Sequence, residues 1–283
     1  MKTTIKQVSR NVHVCDVEVK NKETFTSLQI SDVHWDSHNC DRELLTKHLK
    51  EAEKIGALVF INGDLFDVMG IKTDPRSTYS DIRPEFCVTN YLDVVIEGCA
   101  DYLAQFNLTY FIGRGNHETN IHKRQGTDPT DRVVQLLKYK GIDAHQGGYS
   151  GWMIYRLNMG QDRKSYKQHY HHGYGGNAPR SKGILKVDLN MKSNPDADLI
   201  TRGHDHNKWH VPVNVSRLSP SYEMKPSTVH NLQTGSYQKL GDGFGGWDTE
   251  KGFEEPRLGG WWVDMTITKK AKKHYSLKIR EAT

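Results

Sequence analysis

Five short segments hold the side chains whose types and spacing could do chemistry: Asp32-Val33-His34, Gly63-Asp64-Leu65-Phe66-Asp67, Gly115-Asn116-His117-Glu118, His171-His172-Gly173 and Gly203-His204-Asp205-His206. Carboxylate, carboxamide and imidazole without thiolate suit Mn, Fe, Zn, Co or Ni better than Ca or Mg. An Asp and a His two apart just past a strand point the same way and can close on one cation. Glycine before Asp64 lets the chain turn sharply and lets the carboxylate approach a charged centre. Each segment alone has a plainer explanation, since a D-x-H arises by chance, a strand-ending Gly-Asp is usually a turn, and loop histidines are usually solvated. Together they supply a full donor set for two divalent ions.

The elements that must carry these segments alternate. Residues 25–30 (FTSLQI) predict a strand ending at Ser31-Asp32, and residues 42–55 have helical spacing of Leu44, Leu45, His48, Leu49, Ala52 and Ile55. A short buried strand at 58–61 stops at Asn62-Gly63-Asp64, residues 84–106 predict one long helix, and a strand at 108–112 runs into Gly113-Arg114-Gly115. Such alternation implies an α/β fold, in which ligands collect beyond the carboxyl ends of strands. From residue 143 onward the chain is β-rich, with strands expected at 152–157, 165–170, 198–201, 209–215, 227–233, 261–268 and 275–279. Glycine-rich loops interrupt it at 173–183 and 241–260. With no repeat, low-complexity tract or composition break, residues 1–283 are expected to form one domain of two packed sheets with flanking helices.

A chain of 283 residues and 32.4 kDa can bury a core without staples, so any metal would serve chemistry. Aromatics reach 10%, which argues against disorder despite a mean hydropathy of -0.72. No apolar run is long enough to span a bilayer, and the first twenty residues lack a signal-peptide core, so a cytoplasmic protein with no membrane partner is expected. Four cysteines without C-x-x-C spacing indicate structural thiols. A net charge of +5 favours anionic substrates slightly and decides nothing by itself.

The five segments resemble the pattern of the calcineurin-like metallophosphoesterase superfamily: D-x-H, G-D-x-x-D, G-N-H-[DE], a lone H and G-H-x-H, all present in order from Asp32 to His206. The resemblance implies an α/β (α+β) fold, a four-layer αββα sandwich of two mixed sheets flanked by helices. It also implies two divalent metal ions, Mn by family habit, with Fe, Zn, Co or Ni as alternatives. Asp32, His34 and His206 would hold one metal, Asn116, His204 and a histidine of the fourth segment the other, and Asp64 both. Within that segment the first histidine past the strand is favoured, which is His171, whereas a histidine directly before glycine would be His172. A hydroxide shared by the metals would attack phosphorus, with His117 beside the departing oxygen and Glu118, or a nearby carboxylate, orienting it. Asp67 is expected to hydrogen-bond to ligands.

The expected activity is hydrolysis of a phosphate ester, foremost a phosphodiesterase acting on nucleotides or nucleic acid. A phosphomonoesterase, including a phosphoprotein phosphatase, is the nearest alternative. A non-catalytic scaffold of the same fold is disfavoured, because neither the ligands nor His117 is substituted. Arg114, Arg180 and Arg202 adjoin these segments and are candidates for holding phosphate or for pairing with acids. Trp152, Trp209, Trp247, Trp261 and Trp262 suit base stacking or a core. The run Lys269-Lys270-Ala271-Lys272-Lys273 suits a nucleic-acid patch or a hairpin turn. No protein partner can be inferred.

Overall fold

Strands buried on one face and strands buried on both sort into two mixed sheets in the computed structural model, which describes residues 2–68, 82–175, 181–219, 221–239, 257–269 and 273–283. One sheet has the order β1 (Lys2–Ser9), β2 (Val12–Glu18), β7 (Ser150–Met159), β8 (Asp162–His171), β9 (Leu199–Arg202), β11 (Met224–Gln233), β10 (Trp209–Leu218). The other has the order β13 (Lys273–Ala282), β12 (Gly260–Lys269), β3 (Thr24–Ile30), β4 (Leu58–Ile61), β5 (Thr109–Ile112), β6 (Ala144–Gln146). The helices are α1 (Arg42–Ile55), α2 (Tyr91–Leu103), α3 (Asn116–Gln125), α4 (Pro129–Tyr139) and α5 (Lys186–Ser193). Strands β3 to β6 run parallel, and β4 is buried along its whole length, because one face meets the other sheet and the opposite face meets helices.

Three apolar clusters mark the three interfaces of the four layers. Between the sheets, Phe25, Phe60 and Phe111 pack against Met153, Tyr155 and Tyr170; each fully buried phenylalanine contributes about 1.5–3 kcal/mol. Outside the second sheet, Leu28, Val59 and Ile61 meet Leu45 and Leu49 of α1, Val95 and Ile96 of α2, and Val133 and Leu137 of α4. Outside the first sheet the cluster is small, with Ile200 and Val229 packed beside Met191 of α5. This is the four-layer αββα sandwich expected from the motifs. Among the described residues no helix is long and apolar enough to cross a membrane.

The single helix expected over 84–106 is instead a 3-10 turn, Pro84–Phe86, followed by α2 from Tyr91. Cys87, at φ -77 and ψ 61, leaves helical geometry, and Thr89 and Asn90 are residue types that compete for backbone bonds at helix starts. The hairpin β1–β2 and helices α3, α4 and α5 were not anticipated. In α3 only His117, Glu118 and Ile121 are buried, so no apolar stripe announces it. Asp128 followed by Pro129 does signal the start of α4, where the Asp128 carboxylate accepts from the amide of Thr130 at 3.1 Å.

Trp262 is core, Trp152 packs on the outer cluster, and the indole N–H groups of Trp209 and Trp261 donate to Lys182 O and Gln233 O. These four are structural, and Trp247 lies outside the described residues. Lys269 and Lys273 are register partners across β12 and β13 and both pair with Asp162, while Lys270, Ala271 and Lys272 lie outside the described residues.

Candidate metal centre

The motifs begin at or just past strand ends, and five of their ligand residues take up left-handed backbone. Asp32 (φ 52) and His34 (φ 49) follow β3, Asp64 (φ 49) follows β4, and His204 (φ 73) and His206 (φ 53) follow β9. Nine described non-glycine residues have positive φ, and these are five of them. Asp and His tolerate the region better than most residues, yet such clustering belongs to sites whose surroundings impose it. Here the loops are laced together: Asp32 N–H donates to Gly63 O at 3.1 Å, and the amides of Val33 and His34 donate to Asp64 O at 2.8 and 3.1 Å. Gly63, at φ 86, sits so close to the centre that a Cβ would lie 2.6 Å from His172 Nδ1 and 2.7 Å from Gly115 N.

The side chains converge as two groups joined by a third, His34, Asp64 and His117, which shares one residue with each. On one side Asp32, His34 and His206 bring ligand atoms together, with His34 Nε2 at 3.3 Å from His206 Nε2 and the latter 3.4 Å from Asp32 Oδ1. On the other, Asp64, His172 and His204 surround the Asn116 carboxamide: His172 Nε2 lies 3.0 Å from Asp64 Oδ2 and 3.1 Å from Asn116 Oδ1, which is 2.8 Å from His204 Nδ1. Ligand atoms each about 2.0–2.2 Å from one tetrahedral ion are about 3.3 Å apart, which is the spacing seen.

The tautomers test whether cations fit. His172 Nδ1–H donates to Asn62 O and His204 Nε2–H to Gly175 O, both at 2.8 Å, while His34 Nδ1–H donates to the Asp67 carboxylate at 2.8 Å. In its neutral form each ring therefore turns a lone pair towards further acceptors: carboxylate, carboxamide or a second imidazole nitrogen. Acceptors facing acceptors are compatible only with a positive charge between them. The charges agree. Burial works against ionisation of Asp64, yet His172, then His117 and His34, hold its carboxyl well below the usual carboxylate range. Burial likewise opposes ionisation of Asp32, which the hydrogen bond from His206 and the charge of His172 bring down. Burial pushes the His172 imidazolium down, but Asp64 and Asp32 reverse that and raise it to about 10. Two buried carboxylates thus demand a counter-charge, and the donor set fits divalent metals.

Of the two adjacent histidines, His172 enters the cluster. His171, preferred from the sequence, faces the opposite side of β8, where its Nδ1 accepts from Gly173 N–H at 2.9 Å. The strand alternation explains the difference, since His171 still belongs to β8 and the residue after it turns inward. His117 stands at the rim with Nε2 3.9 Å from Asp64 Oδ2, and its Nδ1–H donates to Asp67 O at 2.6 Å. Asp67 thus braces both His34 and His117. Glu118, expected to orient His117, instead accepts from the amides of Gly115, Phe66 and Asp64 at 2.8, 3.0 and 3.2 Å. It fastens the Asp64 loop to the start of α3; burial, and then Asp64, push its carboxyl up to about 7.

Several supporting residues escaped the sequence reading. Buried Asp36 accepts from the amides of Asp67 and Val68 at 2.7 and 2.9 Å and from the Tyr91 hydroxyl, so it fixes the segment that presents Asp67. After β11, Ser236 Oγ–H and Tyr237 N–H both donate to Asp32 O at 3.0 Å, and Thr234 Oγ1 contacts Ser31 Oγ at 2.5 Å. Their signals were present: Asp36 continues the alternation Asp32, His34, Asp36, and Thr234-Gly235-Ser236 is another small polar segment at a strand end. The arginines are less central. Arg114 pairs with Asp128, Arg202 lies buried on the outer face of the first sheet beside Asn190, and Arg180 falls outside the described residues.

The sequence profile of the calcineurin-like phosphoesterases matches residues 25–208. Among curated protein sequences nothing matches significantly. Similar solved structures include GAP50, the anchor in the inner membrane complex of Plasmodium (12% identity over 91% of this chain and 90% of that one, TM-score 0.43). Others are a predicted phosphoesterase from Streptococcus pneumoniae (12%, 92% and 91%, TM-score 0.31) and Vps29 of Chaetomium thermophilum (11%, 90% and 97%, TM-score 0.35). With the profile spanning well over half of the sequence and the convergent donor set inside that span, the chain belongs to the calcineurin-like phosphoesterase family.

Proposed function

We propose that this protein is a two-metal, Mn-favouring phosphodiesterase acting on nucleotides or nucleic acid. The observation that carries the reading is the convergence of Asp32, His34, Asp64, Asn116, His172, His204 and His206 with His117 at their edge. Two divalent cations, when bound there, supply Lewis acidity towards phosphoryl oxygens and a water acidic enough to attack phosphorus near neutral pH. The chain's own residues do the rest. Asp64 lies between the two groups, within reach of His172, His34 and His117, and its Oδ1 accepts from His117 N–H at 3.0 Å, which keeps the carboxylate in place. His117, its Nδ1–H tied to Asp67 O, points Nε2 towards the centre, where a proton can pass to a departing ester oxygen. An acid at that position serves poor alkoxide leaving groups, and the mildly basic chain suits polyanions.

The test is turnover of bis-p-nitrophenyl phosphate, p-nitrophenyl phosphate, cyclic nucleotides and short DNA or RNA by Mn-loaded protein, beside Asp64→Asn and His117→Asn. Diester cleavage should exceed monoester cleavage, and His117→Asn should lower kcat about 10²- to 10⁴-fold with metal content unchanged. Turnover that survives exhaustive chelation would sink the reading. A monoester preference would move the protein to the phosphomonoesterases.

A further inference from the structure

The ligands on either side of the metal centre come from both sheets. Asp32, His34, Asp64 and Asn116 follow β3, β4 and β5 of one sheet, whereas His172, His204 and His206 follow β8 and β9 of the other. An ion on either side is therefore held only while the sheets keep one position relative to each other, to within about 0.5 Å for a working site. Most of the contact between the sheets is apolar. Apolar attraction is non-directional, so by itself it fixes that position loosely.

A closed ring of hydrogen bonds crosses the same interface. Gln29 Nε2–H of β3 donates to the Tyr155 hydroxyl of β7 at 3.1 Å, and that hydroxyl donates to Gln168 Oε1 of β8 at 2.6 Å. Gln168 Nε2–H returns to Gln29 Oε1 at 2.8 Å. The second N–H of each carboxamide is used as well, on Ser27 Oγ at 2.8 Å and on Thr201 Oγ1 of β9 at 2.7 Å. All five residues are at most 1% exposed. The ring has one consistent sense, because turning the Gln168 amide over would set its oxygen against Gln29 Oε1, acceptor to acceptor. Its members lead straight into the ligand loops: Gln29 precedes Asp32 by three residues, Gln168 precedes His172 by four, and Thr201 precedes His204 by three.

Such a ring adds little net stability, since replacing all of its partners with apolar groups of like shape is nearly neutral. What it supplies is direction: each bond demands a length and an angle, and a fully satisfied buried network specifies one packing. We propose that Gln29, Tyr155 and Gln168 are positioning residues, a lock that sets one sheet against the other so that both halves of the donor set meet on their ions. The inference rests on the two-metal reading and is independent of which ester is cleaved.

The test compares wild-type protein with a combined apolar variant, Ser27→Ala, Gln29→Met, Tyr155→Phe, Gln168→Met and Thr201→Val, and with Tyr155→Phe alone. Mn is titrated into each metal-free protein against a chromophoric chelator, and the Mn-saturated forms are examined by electron paramagnetic resonance for the exchange-coupled signal of paired ions. At saturation a protein that is only less stable holds its ions in the wild-type arrangement, so the coupled signal separates positioning from stability. The combined variant should keep the wild-type urea midpoint without metal, bind both ions about tenfold or more weakly, and lose or alter the coupled signal. Tyr155→Phe, which removes one hydroxyl and opens the ring, should shift the signal and both affinities in the same direction by less, and it carries the test if the combined variant does not fold. An unchanged coupled signal in a folded variant overturns the inference. So does a loss of affinity confined to one ion, because the lock acts on both sides of the centre. Wild-type protein without a coupled pair of Mn ions would sink the two-metal reading and the lock with it, whereas a wild-type pair that the variants preserve sinks the lock alone.

Discussion

Asp67 should set the affinity of one half of the donor set and leave the other half nearly alone. Its carboxylate accepts the Nδ1–H of His34 at 2.8 Å, and burial, which opposes its ionisation, is overcome by that bond, so its carboxyl stays below the usual range. Asn at this position keeps an acceptor oxygen and loses the charge. A hydrogen bond to a charged group contributes about 1.5–3 kcal/mol and a neutral one about 0.5–1.5, so Asp67→Asn should cost about 1 kcal/mol. That is about fivefold in metal affinity. Asp67→Ala removes the bond altogether and releases the His34 ring, for which about 10- to 100-fold is the usual loss. The deficit belongs to the side built from Asp32, His34 and His206; the side built from Asn116, His172 and His204 makes no bond to the Asp67 carboxylate. Competition titration of metal-free protein with Mn or Zn against a chromophoric chelator resolves the two affinities. Equal weakening of both steps, or no change in Asp67→Ala, would refute the argument.

Gly63→Ala combines a left-handed backbone with a Cβ placed against the main chain of Gly115 and the ring of His172, so neither neighbour can yield without moving a ligand. We expect loss of about 2 kcal/mol or more in urea unfolding, with less than the full metal stoichiometry; a fully metallated Ala variant of normal stability would contradict it. His48 supplies a pH test away from the metals. Burial pushes it down to about 4 from an unfolded value of 6.5, so the unfolded chain takes up the proton first as pH falls. Its contribution is intact above about pH 6.5 and is lost towards pH 4 with a slope of about 1.4 kcal/mol per pH unit. Urea unfolding of His48→Gln between pH 7 and 5 should be flatter by that one proton, and an unchanged slope would remove His48 from the acid transition.

The parts of the fold that could be read from the sequence are those where one physical demand dominates. Residues 58–61 (LVFI) are apolar throughout because β4 is covered on both faces, and α1 shows its stripe because only one face meets the sheet. The segments that escaped are pulled by competing demands. Helix α3 spends its first residues on the site, so Asn116, His117 and Glu118 stand where apolar residues would otherwise announce it. The hairpin β1–β2 buries Ile5, His13, Cys15 and Val17 on one face only, at the edge of its sheet, and its polar outer face dilutes the pattern.

The donor set was legible for a different reason: chemistry restricts ligand type more tightly than folding restricts core type. What the motifs conceal is the backbone that presents them. The spacing D-x-H and H-x-H looks like strand alternation, yet Asp32 and His34, and again His204 and His206, lie past their strands in left-handed conformation. Glycine would relax each of these positions and would bring no ligand atom. Holding L-residues there costs about 1–2 kcal/mol apiece, so five of them are large against a total stability of about 5–15 kcal/mol for a folded protein. The amides of Asp32, Val33 and His34 already find carbonyl partners, which accounts for the backbone's share of the compensation. The remainder has to come from what the five side chains hold together, and buried carboxylates and lone pairs turned on one another state the sign of that charge.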